Sequence, residues 1–337
     1  MIIRDTLINL LDIVRSRRVK ITDGGAYKSV EKIARLLRIA CAPTEDWNTY
    51  HRRRVPESCE WILHESSIQA WLKRDSDPQF IWYSVPPASG KSVLSSCLIN
   101  YLQSAGYDCQ FFFFKFGDQS KRPIGPMVRS LAFQTAVMIP EFQQKLLKVS
   151  ENWFGLDNSG HEFVWLKLFE STLFQLRRDR PLFWVIDSLD ECESPRETPK
   201  LLETLSNSQI RVKIFSTSRR TGALESFFDK KKRGKAVDII DGESQNLNLQ
   251  DIRLLVDGKV NELFGSSRTS NNGSGKISSG AQEATFSGLT LSLTKFITVT
   301  QREKSATLST TSQGILASCM REWSRQLLKI ETRTISH

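Results

Sequence analysis

Gly90-Lys91-Ser92 is the combination in this sequence that most directly suggests chemistry. A glycine, a lysine and a hydroxyl in succession form the back half of the phosphate-loop pattern G-x-x-x-x-G-K-[ST]. Binding a triphosphate takes backbone N–H groups converging on an anion, one cation, and an oxygen for magnesium. A loop that feeds a helix N-terminus supplies the amides and the positive end of the helix dipole. Lys91 would neutralise the β and γ phosphates, and the Ser92 hydroxyl would ligate magnesium. Pro86, Pro87, Ala88 and Ser89 before the tripeptide and Val93 after it complete the candidate nucleotide-contacting stretch. Val85 stands where the pattern wants its first glycine. A β-branched residue there costs about 1–2 kcal/mol if the backbone is left-handed, which predicts weakened but retained binding. Pro86-Pro87 partly compensates by stiffening the loop.

A second candidate group lies downstream. Pro181-Leu-Phe-Trp-Val-Ile-Asp187 is an apolar run that ends in a carboxylate. An acid at the carboxyl end of a buried strand is well placed to hold magnesium, because ligands of open α/β sheets bind outside those ends. Asp190 and Glu191 follow on the same turn, where either could orient or deprotonate an attacking water. A plainer reading makes the acids a helix N-cap and first turn. Arg219 follows the apolar run Val212 to Ser218, where it could stabilise charge developing on a phosphate. Its plainer reading is a surface arginine at a strand end. His51, His64, His161 and His337 have no partner that spacing identifies.

The elements around these residues alternate. Phe80 to Ser84, Gln110 to Phe116, Pro181 to Asp187 and Val212 to Ser218 read as buried strands. Helical spacing fits Thr6–Val14, Val30–Ile39, Ser92–Ser104, Met127–Ile139, Glu141–Trp153, His161–Arg178, Thr198–Leu205 and Asp251–Leu263. Short helical turns are expected at Cys59–Leu63 and Ile68–Leu72, with His51 to Pro56 as a linker. Strands alternating with helices predict an α/β fold with a mostly parallel sheet.

Composition narrows the class. The 337 residues, 39% hydrophobic and 25% charged, suit a soluble globular chain. Nine Lys/Arg against four Asp/Glu from Phe264 onward account for half of the net charge of +10. Basic excess in a tail and in Lys230 to Lys235 reads as solvated loops, so nucleic acid is not the expected partner. The six cysteines lack metal-type spacing and read as reduced core thiols. Arg4 and Asp5 interrupt the apolar start, which argues against a signal peptide, and no run reaches the ~20 apolar residues of a bilayer span. Cytoplasmic localisation is the expectation.

From about Arg54 to Leu263 the chain resembles the NACHT-type (STAND class) P-loop NTPases abundant in fungi, close to those with a nephrocystin-3-type N-terminal domain. The stretches that carry the resemblance are Val55 to Trp61, Pro86 to Leu94, Phe112 to Ser120, Trp184 to Cys192 and Ile214 to Arg219. It implies a three-layer P-loop NTPase fold and a signal-transducing switch operated by ATP or GTP with Mg2+. Lys91 and Ser92 then take phosphates and magnesium, Asp187 the magnesium, Asp190 and Glu191 the hydrolytic water, and Arg219 acts as sensor. Other proteins, engaged through the N-terminal helices, and self-association are the partners implied, with no membrane. A nucleotide-binding or interaction scaffold without catalysis is the alternative. The expected organisation is a helical prefix and linker over 1–53, the NTPase domain over 54–264, and a Ser/Thr-rich tail over 265–337. Ala281 to Leu289 stands where the family carries an A-x-G-N-F-L-W-like element. Codons for it, read two bases later, can encode such a peptide. A slipped reading frame between about Phe264 and Ala281 is therefore expected, and with it a disordered or out-of-frame tail.

Overall fold

The computed structural model describes residues 24–39, 42–73, 79–87, 89–150, 160–232, 237–242, 251 and 254–255. The expected helix at Thr6–Val14, most of that at Asp251–Leu263 and the whole tail lie outside them. The described residues within 1–85 and 90–258 make one compact unit, while those of Pro86–Ser89 belong to a second and are described by themselves.

Four apolar runs form strands, as their composition requires. They are β1 (Phe80–Ser84), β2 (Asp108–Phe113), β3 (Leu182–Asp187) and β4 (Val212–Ser218). A fifth, β5 (Val237–Asp241), joins them in a parallel sheet of order β2-β3-β4-β1-β5. Every residue of β1, β3 and β4 is buried, because helices cover both faces.

The pleat sorts the strand side chains into two cores. Phe80, Trp82, Phe112, Trp184, Ile186 and Ile214 share one face with α1 (Gly24–Leu36), α6 (Ile124–Met138), α7 (Pro140–Ser150), α8 (His161–Trp165) and α10 (Gly222–Lys232). Ile81, Tyr83, Phe111, Phe113, Phe183, Val185 and Phe215 point the other way, toward α3 (Trp61–His64), α4 (Ser66–Leu72) and α5 (Lys91–Ser104). This is an α/β fold of three layers. α2 (Pro43–Arg52) lies over α5, and α9 (Glu197–Glu203) follows β3.

Several boundaries differ from expectation. α6 opens at Ile124, so Pro126 occupies its first turn, where a missing N–H costs no intrahelical bond. The helix expected over His161–Arg178 divides into α8, a π-helical turn at Leu166–Glu170 and a 3-10 turn at Leu173–Gln175. Side chain and backbone both mark the break, as is usual where a helix widens. The Ser171 N–H reaches back five residues to the Leu166 carbonyl at 2.8 Å. The Thr172 hydroxyl donates to the Lys167 carbonyl at 2.7 Å. Cys59, Cys97, Cys109 and Cys192 are buried free thiols. Among the described residues no helix is long and apolar enough to cross a membrane.

Candidate functional site

The predicted phosphate-loop tripeptide opens α5. Gly90 caps the helix at φ 81°, ψ 16°. Glycine adopts this left-handed conformation without strain. The first N–H groups of α5 have no acceptor within their own helix, as at any helix start. Lys91 is 4% exposed, and Ser92, one residue on, donates its hydroxyl to Asp187 Oδ2 at 2.7 Å. The tripeptide and the strand-end acid, 95 positions apart in sequence, thus meet directly.

Asp187 is 1% exposed and closes β3. Ser95 and Thr217 each donate a hydroxyl to its Oδ1 at 2.7 Å, and Ser188 donates to Oδ2 at 3.0 Å. Ser188 takes up a left-handed backbone at φ 58°, and its N–H bonds the Thr217 oxygen at 3.0 Å. Sequence reasoning missed Ser95 and Thr217. Ser95 carried a usable signal, since it lies three residues after Ser92 on the same helix face. Thr217 is buried on β4 and becomes a neighbour of Asp187 only through strand pairing.

Hydroxyl donors satisfy the carboxylate lone pairs without cancelling the negative charge. The oxygen-only set of Ser92 and Asp187 suits a hard divalent cation. No cluster of three or more His, Cys, Asp or Glu that could cage a metal exists among the described residues. Magnesium typically needs no such cage, taking one or two carboxylates with water and phosphate oxygens. The residues present fit it.

The 3-10 turn Leu189–Glu191 carries the other two acids. Asp190 accepts the Arg219 backbone N–H on Oδ1 at 2.9 Å and the Arg219 Nε–H on Oδ2 at 2.5 Å. The Asp190 side chain is 1% exposed and that of Arg219 34%. Two sequence candidates are therefore brought together as an ion pair, engaging both carboxylate oxygens. Glu191 Oε2 accepts the Phe116 N–H at 2.9 Å, from the loop that follows β2.

Val85 adopts no left-handed angle. Among the described residues, positive φ at non-glycine positions occurs at Arg38, Glu57, Cys59 and Ser188. The backbone strain expected of a left-handed valine therefore does not arise. The Val85 N–H donates to the Ser218 carbonyl at 3.1 Å, extending the β1–β4 pairing by one residue. Its side chain is buried, and a Cβ placed on Gly242 would overlap Val85 Cγ1 and come within 2.7 Å of the Tyr83 ring. Within the segment Pro86–Ser89, the Ser89 hydroxyl donates to the Pro86 carbonyl at 2.7 Å, and Ala88 lies outside the described residues. Val93 is half-buried on α5.

α2 adds a group that no motif indicated. Trp47 Nε1 donates to the Ser96 carbonyl of α5 at 3.2 Å, and the Tyr50 ring lies 5.3 Å from that of Phe113. Burial pushes the Tyr50 phenol up to about 12, helped by the Asp187, Asp46 and Glu191 carboxylates and opposed by the Ser92 hydroxyl beside it. Desolvation and nearby negative charge both disfavour the phenolate. At neutral pH the phenol keeps its proton.

No curated protein matches the chain. Residues 57–219 match the family described as nephrocystin 3, N-terminal. That segment spans β1 to β4 and holds Gly90, Lys91, Ser92, Asp187, Asp190, Glu191 and Arg219. Over residues 57–219, which include four of the five sheet strands, the chain is thus similar to the nephrocystin 3 N-terminal family.

Proposed function

We propose that the chain is a regulatory nucleoside triphosphatase that holds ATP or GTP with magnesium where α5 meets the carboxyl end of β3. One observation carries this reading. The Ser92 hydroxyl, second residue of the helix after the phosphate-loop glycine, lies 2.7 Å from the buried carboxylate of Asp187. Lys91 supplies the cation for the β and γ phosphates, and the α5 amides with the helix dipole add to it. Magnesium, when bound, offsets phosphate charge. Glu191 orients the attacking water, since both Asp190 oxygens are engaged by Arg219, and Asp190 fixes Arg219 for charge stabilisation.

The resemblance to NACHT-type proteins supports a switch in which nucleotide state selects a conformation rather than a fast enzyme. Other proteins, or a second copy, receive that signal in the cytoplasm. Calorimetry with MgATP and MgGTP tests the binding. The parent chain binds one of them at least tenfold more tightly than Lys91→Ala, with both proteins melting cooperatively. Equal affinities sink the reading.

A second reading, nucleotide holding without turnover, has its own observation. Asp190 is closed by Arg219, and Glu191 is tied to Phe116. Phosphate release distinguishes the two readings. Turnover that disappears in Asp190→Ala with Glu191→Ala favours the NTPase, and a parent chain that binds but releases no phosphate favours the holder.

A further inference from the structure

α2 lies before the segment that matches the family, yet it is connected to both sides of the candidate site. Its buried face is unusual in being polar, with Thr44 and Asp46 2% and 5% exposed. Asp46 pairs with Lys115 through one oxygen and with Lys121 through the other, the latter at 2.6 Å. These lysines flank the loop after β2. Lys115 Nζ also lies 5.6 Å from the Tyr50 ring centroid. An ammonium at that range is attracted to the ring face, so the helix grips Lys115 at two points.

The far side of the same loop is held by the acid turn. Glu191 accepts the Phe116 N–H at 2.9 Å, and the Glu193 N–H donates to the Arg122 carbonyl at 3.0 Å. The Phe114 N–H donates to the Asp187 carbonyl at 3.1 Å. Residues 114–122 are thus pinned at one side by α2 and at the other by the segment carrying Asp187 and Glu191. Moving Asp46 displaces the two lysines, and with them the Phe116 amide against which Glu191 rests.

We propose that Asp46 is a positioning residue for Glu191, acting through Lys115 and Lys121 on the Phe116 amide, and that α2 thereby controls turnover at the nucleotide site. The inference rests on the nucleotide reading given above. The physical reason is geometric. A carboxylate that orients water must be held to a fraction of an ångström, and a backbone N–H on a clamped loop does this better than one on a loose loop.

The test uses the full chain with Lys115→Gln, which removes one clamp and leaves the Asp46–Lys121 pair, and with Lys115→Arg, which preserves the charge. Single-turnover hydrolysis is expected to fall about tenfold in Lys115→Gln and to recover within threefold in Lys115→Arg. MgATP affinity stays within twofold throughout. Hydrogen exchange at the Phe116 amide speeds up at least tenfold in Lys115→Gln alone. Unchanged hydrolysis, equal loss of binding and hydrolysis, or unchanged Phe116 exchange each overturns the proposal. A parent chain that binds no nucleotide, like Lys91→Ala, sinks the nucleotide reading and control of turnover together. Phe116 exchange then still decides whether α2 clamps the loop.

Discussion

The buried carboxylates of Asp187 and Asp46 are satisfied in opposite ways. Asp187, 1% exposed, receives four hydroxyls, from Ser92, Ser95, Ser188 and Thr217. Asp46, 5% exposed, receives two ammonium groups, from Lys115 and Lys121. Neutral donors meet the hydrogen-bonding need of a carboxylate and leave its charge in place. Lysines cancel the charge as well. The first arrangement suits an acid that awaits a cation, and the second suits an acid that ties elements together.

The comparison can be broken by exchange of either charge. Asp46→Asn leaves Lys121, 8% exposed, without its counter-charge. Breaking that buried pair should cost about 3 kcal/mol in denaturant unfolding. Asp187→Asn keeps partners that can reorient, so it should cost under about 1.5 kcal/mol by the same measurement. It should, however, lose tenfold or more of magnesium-dependent nucleotide affinity by calorimetry. Equal stability losses in the two variants would erase the distinction. Single hydroxyl deletions sharpen it further. Thr217→Val or Ser95→Ala should each cost about 1 kcal/mol, because three donors remain around Asp187.

The smallest effect concerns Tyr50, whose phenol feels the charge of both acids. Its folded value is raised from 10.0 to about 12 by burial first and by the nearby carboxylates second. The stabilisation this represents is complete below pH ~10, the unfolded value, and disappears as pH rises through about 12. Phenolate absorbance followed to high pH should show one late-titrating group fewer in Tyr50→Phe. A Tyr50 that ionises near 10 would separate it from Asp187 and Asp46.

Much of the sheet was legible because its strands are nearly pure apolar runs, and Asp187 stood out as the acid ending one of them. The tripeptide at Gly90 was legible for the opposite reason, as small and charged residues between two apolar elements. α2 was not, since its sequence PTEDWNTYHR buries Thr44 and Asp46 and offers no apolar stripe. Its burial depends on lysines about seventy residues away. β5 was missed because an edge strand reading VDIID has only Ile240 fully buried. The pairing of Asp190 with Arg219 was equally hidden, because each residue looks catalytic until the fold sets one on the other.

Val85 and Gly242 show how the residue at one position limits what the other can be. The Val85 side chain at the end of β1 occupies space that a side chain at 242, after β5, would need. β5 is the direct neighbour of β1, so the two positions constitute one fitted pair. Val85→Gly alone would therefore leave a void beside Gly242 at the end of β1. A scan for the motif reads position 85 as damage. The packing makes it a filled place in the core.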